Sequence, residues 1–246
     1  MIQFDVITLF PELFSSALRE SILKRAQEKG LVMIRLINLR DWAVDRHKTA
    51  DDAPFGGGDG MVLKPELLAK AIREVRLNGE LAPVIGLSPQ GRRFDQEWAK
   101  SLAHLNRVIL VAGRYAGMDQ RVIEQEVDEE LSIGDYVLGG GEIPALVVID
   151  AVARLVPGVL GNEESAQRDS FPERLEARQY TRPRRFEGEE VPGELISGDH
   201  KKVESWKKKD SLRRTLLKRP DLLVRYSLSA EEQKLLEQIK EELFSN

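Results

Sequence analysis

The sequence predicts an α/β fold built on a parallel sheet, with a smaller all-α domain toward the C-terminus. Short apolar segments alternate with helical segments of about ten residues or more, and parallel strands need such crossovers between them. The tail keeps a helical pattern over 200–217 and 230–244 without strand-like segments. With 246 residues, 41% of them apolar, the chain can form one large domain or two smaller ones.

Five apolar segments have the length of strands and lie between the predicted helices. These strands are predicted at 4–10, 31–37, 83–87, 108–111 and 131–133. Pro11 suits the first position of a helix. The helices of this part of the chain are predicted at 11–28, from a start within 63–66 to 77, and at 96–105, 118–126 and 143–156. The last of them is nearly all apolar, which predicts a buried helix.

The pattern changes between 157 and 198, where polar residues, prolines and glycines dominate without a clear period. Such composition is typical of a linker between domains. We therefore predict an α/β domain over 1–160, a linker over 161–175 and a helical domain over 176–246.

Composition also limits the chemistry and the compartment. The chain has no cysteine, which excludes disulfides, thiolate catalysis and cysteine zinc sites and fits a reducing compartment. The three histidines are scattered, so no metal site is predicted from spacing. No basic and apolar leader and no apolar run of about 20 residues is visible. We expect a cytoplasmic protein that does not associate with membranes.

Three loops are predicted to follow neighbouring strands and to meet at one edge of the sheet, at 88–91, 113–117 and 134–141. Packing does not explain the run Gly139-Gly140-Gly141, because glycine loses the most backbone entropy on folding. The loops contain one cation, Arg114, and no nucleotide fingerprint is present. They suit adenosine held by backbone amides and apolar walls. Ordinary turn chemistry stays open as an alternative.

Charge is unevenly distributed along the chain. The net charge of −4 argues against a nucleic-acid partner, but 201–219 contains nine Lys or Arg residues and two acids. This run could contact a polyanion or form a solvated helix face.

Seven segments between residues 45 and 183 form longer motifs. They read DRHKTADD (45–52), PFGGG (54–58), LSPQG (87–91), GRY (113–115), SIGDYVLGGGE (132–142), IDAVAR (149–154) and YTRP (180–183). In this order they resemble the bacterial tRNA (guanine-N1)-methyltransferases of the TrmD family.

The resemblance implies a SPOUT methyltransferase fold with a deep trefoil knot in the α/β domain. It also implies S-adenosylmethionine as the methyl donor and a homodimer with shared active sites. The target would be N1 of guanine 37 of tRNA, next to the anticodon, preceded by guanine 36. The helical domain would bind the tRNA anticodon arm. Magnesium is linked to catalysis in this family, although no metal spacing in the sequence indicates it.

Carried over by position, the resemblance implies a methyl-donor pocket of fourteen residues. They are Leu87, Ser88, Pro89, Gly113, Tyr115, Gly117, Ser132, Ile133, Gly134, Tyr136, Leu138, Gly140, Gly141 and Pro144. The implied catalytic pair is Asp169, which would take the N1 proton, and Arg154, which would stabilise negative charge on O6. Asp169 could instead cap a short helix, and Arg154 could complement a helix dipole.

Cations of the basic run are the predicted contacts to RNA phosphates. They are Lys201, Lys202, Lys207, Lys208, Lys209, Arg213 and Arg214. One departure from the family pattern is Ala116, where relatives have a glutamate that faces the target base. Ala116 leaves open a non-catalytic RNA-binding or assembly protein as one alternative. A SPOUT methyltransferase that acts on another RNA is a second, separate alternative.

Overall fold

A computed structural model describes residues 1–161, 170–171 and 173–244. The chain divides into two compact units, Met1–Ala166 and Gln167–Asn246. The division lies inside the predicted linker, whereas the predicted limits of the domains themselves stay a prediction.

The first unit is built on a five-stranded sheet in which all neighbouring pairs are parallel, as predicted. Its strands are β1 (Ile2–Thr8), β2 (Val32–Asn38), β5 (Val84–Arg93), β6 (Arg107–Ala112) and β7 (Glu129–Ser132), in the spatial order β2-β1-β6-β5-β7. A separate antiparallel pair joins β3 (Asp51–Asp52) to β4 (Val62–Leu63).

Helices cover both faces of the sheet. They are α1 (Ser15–Leu18), α2 (Ser21–Glu28), α3 (Pro65–Leu77), α4 (Gln96–Ala103), α5 (Gln120–Glu126) and α6 (Glu142–Ala153). Side chains of α2, α4 and α6 pack into the core on one face, and those of α3 and α5 pack into the core on the other. The strands are therefore buried on both faces of the sheet, as is usual for parallel sheets.

The single helix predicted over 11–28 is wrong. The segment contains a 3₁₀ helix at Pro11–Phe14, followed by α1 and α2. Ser21, the first residue of α2, has a φ of 51°, which is incompatible with a continuous right-handed helix.

The loop predicted at 88–91 lies within β5, where it interrupts the pairing with β7. Leu87 and Arg92 both pair with Leu131, so the residues between them bulge out of the ladder. A Cβ at Gly91 would lie 2.6 Å from the carbonyl oxygen of Glu130, so a glycine is required where the two backbones approach.

The second unit contains α7 (Gly193–Ile196), α8 (His200–Lys218), α9 (Pro220–Arg225) and α10 (Ala230–Phe244). It also contains a short antiparallel ladder of β8 (Arg185–Phe186) and β9 (Glu189–Glu190). The all-α prediction missed this ladder, because two-residue strands leave no periodicity in a sequence. Across the described residues, no helix is long and apolar enough to cross a membrane.

Candidate active site

A cavity of about 370 Å³ lies in the first unit. The loops after β6 and β7 and the bulge of β5 line it, as predicted from the sequence. The three strands are neighbours in the sheet and run parallel, so their carboxyl ends open on one edge.

The lining of the cavity is rich in main-chain atoms and poor in charge. Five of its residues are glycines, and Arg114 is the one Lys or Arg among them. Apolar walls come from Leu87, Ile133 and Leu138. Such a lining suits a largely neutral ligand better than a polyphosphate, which needs several cations or a phosphate-binding loop.

Arg114 is held in place by the buried carboxylate of Glu142, which does not itself line the cavity. Its Nε donates a hydrogen bond to Oε2 of Glu142 at 2.8 Å, and its Nη1 donates to the carbonyl oxygen of Gly139 at 2.9 Å. The other carboxylate oxygen of Glu142 accepts a hydrogen bond of 2.9 Å from the Thr8 hydroxyl. Since Glu142 is the first residue of α6, its negative charge also complements the helix dipole.

The glycine run after β7 allows the two loops to approach at main-chain distance. The amide of Gly141 donates to the carbonyl oxygen of Gly113 at 2.8 Å. A Cβ at Gly141 would lie 2.7 Å from the Cα of Ala112 and 2.9 Å from the amide nitrogen of Gly113. Gly141 does not have a positive φ, so close approach explains this glycine.

The segment that follows the other glycine-rich run, 56–60, is hydrogen-bonded to the loop after β6. The amide of Ala116 donates a hydrogen bond to the carbonyl oxygen of Met61 at 2.8 Å. The amide of Leu63 donates one to the carbonyl oxygen of Gly117 at 3.1 Å. The four glycines of this run have positive φ values. Phe55, directly before them, is fully exposed.

Helix α5 contributes Gln120 and Ile123 to the cavity, and its N-terminus is capped by Asp119. The Asp119 carboxylate accepts hydrogen bonds from the Arg121 amide and guanidinium. The guanidinium hydrogen bond holds the pKa of Asp119 below its usual value.

The sequence model of one family, tRNA (Guanine-1)-methyltransferase TrmD, matches residues 2–225 of the chain. The chain belongs to this family. It is 52% identical to the tRNA (guanine-N(1)-)-methyltransferase of Dictyoglomus turgidum over 244 residues, 99% of this chain and 98% of that protein. The protein of the same name from Carboxydothermus hydrogenoformans is 54% identical over 235 residues, 95% of this chain and 92% of that protein.

All fourteen residues expected in the methyl-donor pocket of this TrmD-family chain line the cavity. Their role in binding a cofactor stays a prediction. Eight further residues line the cavity. Gln90, Arg114, Ala116 and Val137 lie in the predicted loops but were not among the fourteen, and Met118, Gln120, Ile123 and Leu131 lie outside those loops. Sequence reasoning also missed the support from Glu142 and Thr8, whose contact joins residues 134 positions apart in the sequence.

Only one member of the expected catalytic pair lies within the described residues, so the pair stays a prediction. Arg154 directly follows α6, is exposed and does not line the cavity. Asp169 lies outside the described residues. Ala116 is exposed and lines the cavity, so the departure from the TrmD pattern falls within the candidate site.

Most of the predicted RNA-binding cations of α8 lie within 4 Å of a carboxylate. Lys208 pairs with Glu231 at 3.0 Å, and Lys209 and Arg213 both pair with Glu242 of α10. Longer pairs join Lys202 to Asp199 at 3.9 Å and Lys207 to Glu204 at 3.8 Å. These contacts give part of the basic run a role within the second unit itself. Among the described residues, no group of three or more His, Cys, Asp or Glu side chains could hold a metal ion.

Proposed function

We propose that this chain transfers a methyl group from S-adenosylmethionine to N1 of guanine 37 of tRNA when guanine 36 precedes it. The observation that carries the proposal is the membership of the chain in the TrmD family over residues 2–225, together with a cavity lined by all fourteen expected pocket residues.

The lining of the cavity fits the proposed cofactor. S-adenosylmethionine supplies an electrophilic methyl carbon on a sulfonium sulfur. The apolar side chains of Leu87, Ile133 and Leu138 would enclose its adenine ring, and the main chain of the three loops would provide hydrogen bonds. The pairing of Arg114 with Glu142 leaves the lining without an unpaired Lys or Arg, which is consistent with a ligand that lacks phosphate.

We propose Asp169 as the general base and Arg154 as the cation that stabilises charge on O6. Neutral guanine carries a proton on N1 and is a weak nucleophile there. As the bond between N1 and the methyl carbon forms and the bond from that carbon to sulfur breaks, the proton passes to the Asp169 carboxylate. The guanidinium of Arg154 would stabilise the negative charge that develops on O6.

Methyl transfer to unmodified tRNA, with the product nucleotide mapped by mass spectrometry, tests this function. We expect N1-methylguanine at position 37 and a rate at least about 10²-fold lower for Asp169→Asn. Calorimetry must show that this variant still binds S-adenosylmethionine, since a folding defect would also abolish the rate. Methylation of ribosomal RNA instead of tRNA, or no cofactor binding by the wild type, would refute the proposal.

We also propose a homodimer with active sites shared between subunits. Ile143 and Val147 lie one turn apart on α6 and are 52% and 42% exposed, and Leu13 on the contacting 3₁₀ helix is 48% exposed. A second copy covering these side chains would remove apolar surface from water. Sedimentation should give a dimer, and Val147→Glu should give an inactive monomer. A monomeric wild type at micromolar concentration would contradict the proposal.

Shared sites predict complementation between inactive subunits. Asp169→Asn, defective in the base, and Gly141→Ala, defective in the pocket, should regain partial activity when mixed, because a hybrid dimer has one intact site. Mixing without recovery would argue for independent sites.

We propose the remaining features on the basis of the family. The cofactor-binding domain over 1–160 would contain a trefoil knot, and a linker over 161–175 would join it to a tRNA-binding domain over 176–246. The second domain would contact RNA phosphates through α8, and the protein would be located in the cytoplasm.

Magnesium dependence is tested directly by assays in the presence of EDTA with and without added Mg²⁺. Charge reversal at Lys207, Lys208 and Lys209 should weaken tRNA binding and flatten its salt dependence.

A further inference from the structure

An exposed strip of arginines and aromatic residues lies in the second unit before the basic helix α8. The strip consists of residues 180–186, Tyr180-Thr181-Arg182-Pro183-Arg184-Arg185-Phe186, and all seven are exposed. The rings of Tyr180 and Phe186 are 40% and 66% exposed. Exposed rings interleaved with cations are typical of surfaces that bind single-stranded nucleic acid.

The cations of the strip differ from most of those on α8. Within the part of the chain that the structure describes, Arg182, Arg184 and Arg185 form no ion pair, whereas five of the seven cations predicted on α8 lie within 4 Å of a carboxylate. A cation already paired with a carboxylate must lose that partner before it can bind a phosphate. The arginines of the strip can therefore bind an anion without first breaking an ion pair.

At its start the strip is anchored by contacts to helix α8. Arg178 pairs with buried Asp210 at 2.6 Å, and the amide of Arg178 donates to the same carboxylate at 2.8 Å. The ring of Tyr180 packs edge-on against Trp206, with ring centres 6.1 Å apart. A ring that is already fixed loses less conformational entropy when a base stacks on it.

Acidic residues limit the strip at its other end. Glu187, Glu189 and Glu190 follow Phe186 and are exposed, and Glu190 lies opposite Arg185 in the ladder of β8 and β9. A polyanion would be repelled by the carboxylates of β9, so its path is restricted to the strip itself, which ends at Phe186.

We propose that this strip binds the unpaired nucleotides of the anticodon loop, with Tyr180 and Phe186 stacking on bases and the three arginines contacting phosphates. The proposal rests on the proposed function and adds a binding surface that the sequence prediction, centred on α8, does not include. RNA loops present splayed bases that aromatic rings can stack on, whereas a duplex keeps its bases stacked inside.

The test compares two double variants that remove the same charge from the second unit. Arg182→Ala/Arg184→Ala removes two cations of the strip, and Lys234→Ala/Lys240→Ala removes two exposed cations of α10. Binding of an anticodon stem-loop RNA is measured over a range of salt concentrations. We expect the strip variant to bind at least about tenfold more weakly and with a salt slope reduced by about one to two, and the α10 variant to bind like the wild type.

Stacking is tested separately from charge. Phe186→Ala should weaken binding of the stem-loop about tenfold, and Tyr180→Phe should bind like the wild type, because a phenylalanine ring also stacks. Neither variant should change binding of a fully paired RNA of the same length. Equal stem-loop affinity for the wild type, the strip variant and Phe186→Ala would overturn the proposal.

The experiments distinguish a wrong assignment of the strip as an RNA-binding surface from a wrong assignment of the methyltransferase function. If wild type and strip variant methylate tRNA with the same KM, the function stands and the strip is excluded. If the wild type does not methylate tRNA at all, the proposed function fails whatever the stem-loop measurements show. Calorimetric binding of S-adenosylmethionine by each variant confirms that the first unit is intact.

Discussion

The Nε atom of Arg114 lies 2.8 Å from Oε2 of Glu142, and this ion pair joins the loop after β6 to the start of α6. Glu142 is 1% exposed and also accepts the hydroxyl hydrogen bond of Thr8 at the end of β1. Two elements far apart in the sequence, β1 and α6, thus hold Arg114, which lines the cavity. Both oxygens of the buried Glu142 carboxylate accept a hydrogen bond.

Removal of the Glu142 carboxylate should damage both stability and the cavity. Glu142→Ala leaves Arg114 and Thr8 without their partner, and loss of one member of a buried pair costs about 3 kcal/mol. We expect that decrease in the free energy of unfolding and a Kd for S-adenosylmethionine raised at least about tenfold, by urea titration and calorimetry. Thr8→Val, which removes one hydrogen bond and keeps the ion pair, should cost about 1 kcal/mol. Equal effects of the two variants would contradict this role of the charge.

Two neighbouring glycines should respond differently to the same substitution. A Cβ at Gly141 would meet the backbone of Ala112 at 2.7 Å, whereas a Cβ at Gly139 would have its nearest neighbour, Nη1 of Arg114, at 3.8 Å. Gly141→Ala should therefore separate the two loops and abolish cofactor binding, and Gly139→Ala should leave it within about twofold. Calorimetry on both variants tests the difference. Retained affinity in Gly141→Ala would show that the loops can move apart without harm.

The sheet contains a second buried ion pair, between β1 and β6, and neither of its residues lines the cavity. Asp5 on β1 is 0% exposed and accepts from Arg107 on β6, itself 2% exposed, at 2.6 Å, and from Arg35 on β2 at 2.6 Å. Asp5→Ala leaves Arg107 buried without its carboxylate and should cost about 3–5 kcal/mol of unfolding free energy. Arg35→Ala removes a cation whose side chain is 41% exposed and should cost about 1 kcal/mol or less. Denaturant titration measures both losses, and a larger loss for Arg35→Ala than for Asp5→Ala would contradict the role of Asp5 as the partner of buried Arg107.

Glu232 on α10 should make the stability of the second unit depend on acid pH. Burial alone would raise its pKa, but hydrogen bonds from Ser229 and from Arg174 outweigh burial and lower the pKa to about 2. Since the folded pKa lies below the unfolded value of about 4.5, the stabilisation is present above pH 4.5 and is lost as the pH falls toward 2. A shift of this size is worth about 3 kcal/mol.

The matched variant for this pH effect is Glu232→Gln, which removes the titrating group. Urea unfolding followed in the second unit should give a difference of about 3 kcal/mol between wild type and variant at pH 7. The difference should shrink steadily between pH 4.5 and 2. A difference that stays constant over this range would assign the effect to the shape of the side chain and not to its charge.

The sequence predicted the parts of the fold that depend on local pattern. Apolar runs located four strands of the parallel sheet to within two residues at each end, because buried parallel strands are continuously apolar. For β5 they located the start, but the strand continues six residues beyond its predicted end. The convergence of three loops followed from the rule that parallel strands end at the same edge. The break at Ser21 and the bulge of β5 were not predictable, because each depends on a backbone conformation that several residue types can adopt.

The support of the site was the harder part to predict. Glu142 stood in a recognisable motif, but its contacts to Thr8 and Arg114 join residues that only the folded sheet brings together. The basic run of α8 was evident from composition, whereas its pairing with Glu231 and Glu242 requires the position of α10. Charge counted along a chain does not show which cations are already neutralised by a neighbour.

The glycine-rich lining of the cavity has a consequence for inhibitors. A competitive drug that contacts the glycines of this lining would meet positions, such as Gly141, where a mutation adds a side chain to a closely packed backbone. Resistance through a larger residue at Gly141 would force the Ala112 backbone aside and impair the enzyme itself. Escape would have to come from other routes, such as efflux or increased expression.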